Sequence, residues 1–199
     1  MVYHDGKNYD FQKCEGSFNW DKLDLPNGFI YLGHNQAPTS SERVWREHCS
    51  HPFVVGNWVV AHNGVLTNFG KLKEKYLKDH ENPVDSSIIP ALLHKFEKKF
   101  MKVKTAENER KCIINVLKLL KGTYGVWIVN VKSLNIYVAR QGSTLFFDKD
   151  SFSSIKGDTY EEVKEGMLYK FNNAGVSECE IGNRWGESLP EMVVFDSCF

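Results

Sequence analysis

The chain has 199 residues with 25 basic and 25 acidic side chains, so its formal net charge is zero. That balance gives no electrostatic footing for nucleic acid or an anionic membrane surface. The 42% hydrophobic content suits one soluble domain with a sizeable core, and no apolar run or leader-like start marks a membrane span or secretion signal. The cytoplasm is therefore the expected compartment.

In chain order, Tyr3 to Tyr9 brackets an Asp5-Gly6 turn between two strand-like pieces. Cys14 follows on the second piece, where plain packing is the simpler account. Phe29-Ile30-Tyr31-Leu32 and Trp58-Val59-Val60-Ala61 are short apolar runs of the kind that form buried strands. Each ends in His-Asn and a turn: Gly33-His34-Asn35-Gln36 and His62-Asn63-Gly64. This pattern predicts four polar side chains on one rim of a sheet. Residues 40–57 read as a long polar connection that walls the rim.

Asn68 is placed to cap a helix from Phe69 to about Leu77. A second helix is expected from Ser86 or Ser87, with Pro90 in its first turn and His94 in a structural role. A third is expected over Glu109–Lys121, stopped by Gly122. Strands are expected at Tyr124–Val131, Ile136–Ala139 and Thr144–Phe147, and an edge pair over Val163–Phe171. Residues 172–199 show no clear periodicity. Antiparallel strands with grouped helices indicate an α+β layered domain, read as a single unit over residues 1–199.

The five cysteines are Cys14, Cys49, Cys112, Cys179 and Cys198. Their odd number and irregular spacing suggest neither a disulfide framework nor a zinc site. His48-Cys49-Ser50-His51 has ligand-type residues but no second cluster at zinc spacing, so no metal and no cofactor is expected.

Asn63-Gly64 admits two readings. It is a common hairpin turn. It is also a pair of neutral donors, the Asn63 amide and the Gly64 N–H, able to meet a developing oxyanion. Such a donor is worth roughly 3–4 kcal/mol of barrier.

Taken together, Gly33-His34 with Thr39, His51-Pro52, Val60 to Leu66 with Asn68, Asp85-Ser86 with Ile88-Ile89, Gly122 with Tyr124-Gly125, and Ala139-Arg140 with Gly142-Ser143 and Leu145 resemble the class II glutamine amidotransferases. The glutaminase domains of glucosamine-6-phosphate synthase and glutamine phosphoribosylpyrophosphate amidotransferase are the relatives implied. The resemblance covers roughly residues 29–171 and leaves 172–199 as a C-terminal extension. It implies the four-layer αββα sandwich of the N-terminal-nucleophile hydrolases. It also implies hydrolysis of the glutamine side-chain amide, with ammonia delivered to a partner synthase.

By that resemblance Asn63 and Gly64 are catalytic, as the oxyanion hole. Gln36, Thr39, His62 and Asp85 bind substrate, with Asp85 taking the glutamine ammonium. A helix cap is the competing role for Asp85.

Two departures stand out. The family's nucleophile is an N-terminal cysteine whose own amine is the base, whereas this sequence starts Met1-Val2-Tyr3. The resemblance thus implies that the family's first strands lie outside it. Gln36 stands where the family commonly has an arginine, a loss of about 1.5–3 kcal/mol if a charged bond to the substrate carboxylate goes. These departures raise an alternative, a non-catalytic binding or regulatory module on the same fold. A third reading is an unrelated hydrolase using Cys49 or Cys14 with His34, His48 or His62. Lacking two strands, the fold is also expected to expose sheet edges that invite a partner or self-association.

Overall fold

The computed structural model describes residues 2–4, 9–13, 30–35, 46–103, 105–172 and 175–182. Gln36, Thr39, Cys14 and Cys198 lie outside them.

The frame is a six-stranded antiparallel sheet. Its members are β4 (Phe53–Val55), β5 (Trp58–Leu66), β6 (Gly122–Asn130), β7 (Asn135–Gln141), β11 (Met167–Asn172) and β12 (Gly175–Glu180), in the order β12-β11-β7-β6-β5-β4. A second sheet joins β1 (Val2–His4), β2 (Tyr9–Phe11) and β3 (Ile30–Leu32), with β1 central. The two expected N-terminal strand pieces therefore pair, His4 with Tyr9, while the Asp5-Gly6 turn between them lies outside the described residues. A small third sheet holds β8 (Phe146–Phe147), β9 (Phe152–Ser153) and β10 (Glu161–Glu162).

Three helices complete the described layers: α1 (Phe69–Tyr76), α2 (Ile88–Phe100) and α3 (Ala106–Leu119). Alternation along the strands explains how the layers stack. Trp58, Val60 and Leu66 of β5, with Tyr124, Val126 and Ile128 of β6, pack in one core with Leu92, Ile113 and Val116 of the helices. Val59, Ala61, Trp127 and Val129 point the other way, into a core shared with Leu32 and Leu145. A strand covered on both faces needs an unbroken apolar run, and Trp58 to Ala61 is one. The fold is thus α+β, with helices against one face of the main sheet and smaller sheets against the other.

Several elements differ from expectation. β3 and β5 belong to different sheets, so the two His-Asn ends do not lie on the rim of one sheet, although His34 comes near enough to His62 to feel its charge. β5 does not stop at Ala61 but runs on to Leu66, because the ladder with β6 continues through Asn63↔Gly125 and Gly64↔Tyr124 to Leu66↔Gly122. The polar connection before it contains β4, paired with β5. α3 starts three residues early, where Thr105 Oγ1 accepts the Asn108 N–H as an N-cap, and ends before Gly122, which opens β6. The aperiodic tail supplies β12, the sheet's edge strand, and β12 pairs with β11.

Asn68 also departs from its expected role. It makes no side-chain cap on α1. Its amide instead donates to the Leu119 carbonyl at 2.8 Å and accepts the Lys121 N–H at 3.0 Å. The side chain therefore ties the start of α1 to the end of α3, supplying one of that helix's orphan carbonyls with a donor.

Candidate functional site

The rim lies where β5 ends beside β6. Pleating sends His62 toward the helices and Asn63 toward the opposite face. His62 is only 3% exposed, whereas Asn63 and Gly64 are open to solvent. Gly64 has φ +142°, a conformation that favours glycine. An ideal Cβ there would lie 2.2 Å from the Thr123 carbonyl oxygen, so a side chain is excluded by space as well.

His62 has protein partners on both ring nitrogens. Nε2 lies 3.1 Å from the Thr123 carbonyl and Nδ1 lies 2.8 Å from Ser86 Oγ. A carbonyl only accepts, so Nε2 carries the hydrogen and donates to it. In the neutral ring Nδ1 is then an acceptor, and the Ser86 hydroxyl donates to it. Burial lowers the His62 pKa, outweighing the opposing effects of the Thr123 carbonyl and Asp85, and so keeps the ring neutral.

Asp85 opens a single 3-10 turn, Asp85–Ser87, that leads into α2. Its Oδ2 accepts the Leu66 N–H at 2.7 Å and its Oδ1 accepts the Ser86 N–H at 2.8 Å. The Ser86 hydroxyl is also 3.3 Å from Oδ1. The carboxylate therefore ties the end of β5 to the start of the helix layer. It is half-buried, and each oxygen retains a lone pair beyond its backbone bond. One residue along, the Val65 N–H donates to Thr123 Oγ1 at 3.2 Å. His62, Val65 and Leu66 are thus each bonded to a group off the strand, and Asn63 and Gly64 lie between these fixed points.

Two other histidines stand nearby. The rings of His34 and His51 lie 4.1 Å apart, and His51 meets Phe53 edge-on. Burial, aided by His62, pushes the His34 pKa down to about 4. On the far side of Thr123, Gly142 packs against the Thr123 methyl. The Gly142 N–H donates to Glu165 Oε1 at 2.8 Å. Arg140 holds the same loop by donating to the Val163 and Ser143 carbonyls and pairing with Glu162 at 2.8 Å.

Of the residues expected to form the site, Asn63, Gly64, His62 and Asp85 do converge; Gln36 and Thr39 lie outside the described residues. Ser86 and Thr123 were not singled out. Each stood inside a quoted motif, Ser86 after Asp85 and Thr123 between Gly122 and Tyr124, and only their spatial neighbours reveal a role. His94 lies away from the rim, 3.8 Å from Glu97.

Two of the described cysteines, Cys112 and Cys179, are poor nucleophile candidates. Burial pushes the Cys112 thiol up to about 12 and raises that of Cys179 as well, the opposite of what thiolate chemistry needs.

The chain is 29% identical over 142 residues to the glutamine–fructose-6-phosphate aminotransferase of Listeria innocua, a match covering 69% of this chain. The enzyme of the same name from Methanocaldococcus jannaschii is 31% identical over 124 residues, or 59% of the chain. The chain is a homologue of class II glutamine amidotransferase domains.

The matches span only 22% and 11% of the length of those two relatives. Among solved structures, the glutamine phosphoribosylpyrophosphate amidotransferase of Bacillus subtilis superposes with a TM-score of 0.53 at 22% identity, covering 75% of this chain and 34% of that one. At that identity the likeness concerns the fold. No protein-family model matches. Among the described residues, no helix is long and apolar enough to cross a membrane.

Proposed function

We propose that this chain provides the amide-binding and oxyanion-stabilising part of a glutaminase. In this reading Asp85 takes the α-ammonium of glutamine, and Gln36 and Thr39 hold the rest of its backbone. Attack on the side-chain amide carbon gives a tetrahedral oxyanion, met by the Asn63 amide and the Gly64 N–H. Ammonia leaves toward an amine- or amide-forming partner synthase, and water releases glutamate from the thioester.

The observation that carries the reading is the placement of Asn63-Gly64. It is an exposed pair on a strand end, held by His62 on one side and by Val65 and Leu66 on the other, with Asp85 bonded to that same end. Fixed donors of this kind need little reorganisation as charge develops. The attacking thiol in this reading is the family's N-terminal cysteine.

Gln36, standing where the family commonly has an arginine for the substrate carboxylate, favours a second reading for the chain acting by itself, a module that binds an amide without cleaving it. One pair of measurements separates the two. Glutamine binding is followed by calorimetry and glutamate release by enzymatic assay, both on the chain extended by the family's N-terminal cysteine strands, with Asn63→Ala as control. Release that disappears in the variant supports the glutaminase; binding without release supports the module. Absence of both removes glutamine from the account.

A further inference from the structure

The Ser86 hydroxyl has one hydrogen and two acceptors within reach, His62 Nδ1 at 2.8 Å and Asp85 Oδ1 at 3.3 Å. His62 in turn donates through Nε2 to the Thr123 carbonyl, the oxygen packed directly against Gly64. A continuous chain of contacts therefore runs from Asp85 through Ser86 and His62 to the peptide beneath Gly64. Its ends are the two groups that the glutaminase reading assigns to opposite ends of one substrate.

We propose that Ser86 and His62 are positioning residues that couple recognition of the substrate's α-ammonium at Asp85 to alignment of the Asn63-Gly64 donors. This rests on the reading of the site given above. While Oδ1 accepts only the Ser86 N–H from the backbone, the Ser86 hydroxyl that donates to Nδ1 at 2.8 Å also lies within reach of Oδ1 at 3.3 Å, and its hydrogen is shared between the two. An ammonium bonded to Oδ1 supplies that oxygen with a stronger donor. The Ser86 hydroxyl then rotates fully onto Nδ1, with no covalent bond made or broken. A committed acceptor bond at Nδ1 polarises the ring and strengthens the Nε2–H donation to Thr123, because hydrogen bonds in series reinforce one another. The Thr123 carbonyl, and Gly64 above it, are held more firmly. An amide lacking the α-ammonium leaves Ser86 shared, so the site discriminates amino acid amides from simple amides by more than the lost ion pair.

The test reads His62 directly. In the 15N-labelled chain, a long-range proton–nitrogen correlation at pH 7, assigned with His62→Gln, is expected to show the neutral ring with hydrogen on Nε2. Saturating L-glutamine is expected to shift the Nδ1 resonance. 4-Carbamoylbutanoate, the same molecule without the amino group, is expected to leave it in place. Ser86→Ala should abolish the shift and weaken glutamine binding about threefold to tenfold, and Ser86→Thr, which restores a hydroxyl, should recover both.

A ring with its hydrogen on Nδ1 overturns the proposal before any ligand is added. An equal shift with both ligands overturns it too. Glutamine binding that is lost in Asp85→Asn but never moves His62 sinks this inference while the reading of the site survives. No glutamine binding at all overturns both.

Discussion

The two ends of β5 use the same device for opposite purposes. At its start, the hairpin with β4 is held by Glu97 of α2, which accepts from the Asn57 amide at 3.3 Å and the Trp58 indole at 3.2 Å. The neighbouring β6–β7 turn is held by Glu109 of α3, through Ser133 Oγ at 2.9 Å and Asn135 Nδ2 at 3.4 Å. At the other end Asp85 accepts the Leu66 N–H. Each carboxylate comes from the helix layer and satisfies a donor at a strand terminus. Glu109 is 2% exposed and sealed, and its burial raises its pKa. Asp85 is half-open, beside two uncovered residues. Where the protein closes a strand end it gains stability; where it leaves one uncovered it keeps donors available for a ligand.

The largest expected effect lies at the open end. In a glutaminase that carries its N-terminal cysteine, Asn63→Ala should raise the hydrolysis barrier by about 3–4 kcal/mol, seen as a fall in kcat of several hundredfold. Its unfolding free energy should stay within about 0.5 kcal/mol of the parent, because the residue is exposed. Equal losses of activity and stability would erase the distinction between the ends.

Gly64→Ala should cost about 3 kcal/mol in urea denaturation, since it combines an unfavourable φ with a methyl driven into the Thr123 carbonyl. Glu109→Ala should cost about 1–3 kcal/mol by leaving the buried Asn135 amide without its carboxylate acceptor. Its glutamine affinity, read by calorimetry, should match the parent's, because the turn it holds is at the far end of the sheet.

The smallest effect is a difference in pH response. The folded His34 titrates at about 4 rather than 6.5, so the unfolded chain binds more protons between those values, and stability from His34 is lost as pH falls through that window. Glu109 runs the other way. Its raised pKa means the folded chain holds a proton longer, and that contribution is lost as pH rises above 4.5. His34→Gln should therefore flatten the fall in melting temperature between pH 6.5 and pH 4, and Glu109→Gln should steepen it. Identical profiles for the two variants would mean that neither buried group governs the response.

What could be read without coordinates followed from local pattern. The apolar runs of β3 and β5, the strand pieces at the N-terminus and the stripe of Ile88, Ile89, Leu92, Leu93 and Phe96 each depend on neighbours in sequence. The end of β5 was misjudged because His62-Asn63-Gly64 breaks its apolar run, whereas backbone pairing with β6 is indifferent to side-chain polarity. β12 was missed for a related reason: residues such as Glu178 and Glu180 face solvent on an edge, so no apolar alternation announces it. Asn68 was expected to cap the helix beside it, but its partners lie some fifty residues on. His62 looked like a ligand-facing group in the motif, and only the pleat shows that it turns inward.

The close approach of Gly64 to Thr123 has a magnetic consequence. One of its two α-hydrogens points along the direction a Cβ would take, straight at a carbonyl oxygen that also accepts from His62. Carbon-bound hydrogens in such contacts behave as weak donors and lose shielding. The two α-protons of Gly64 should therefore be widely separated in frequency, and their splitting is a gauge of how tightly the rim is set, readable on the unmodified chain.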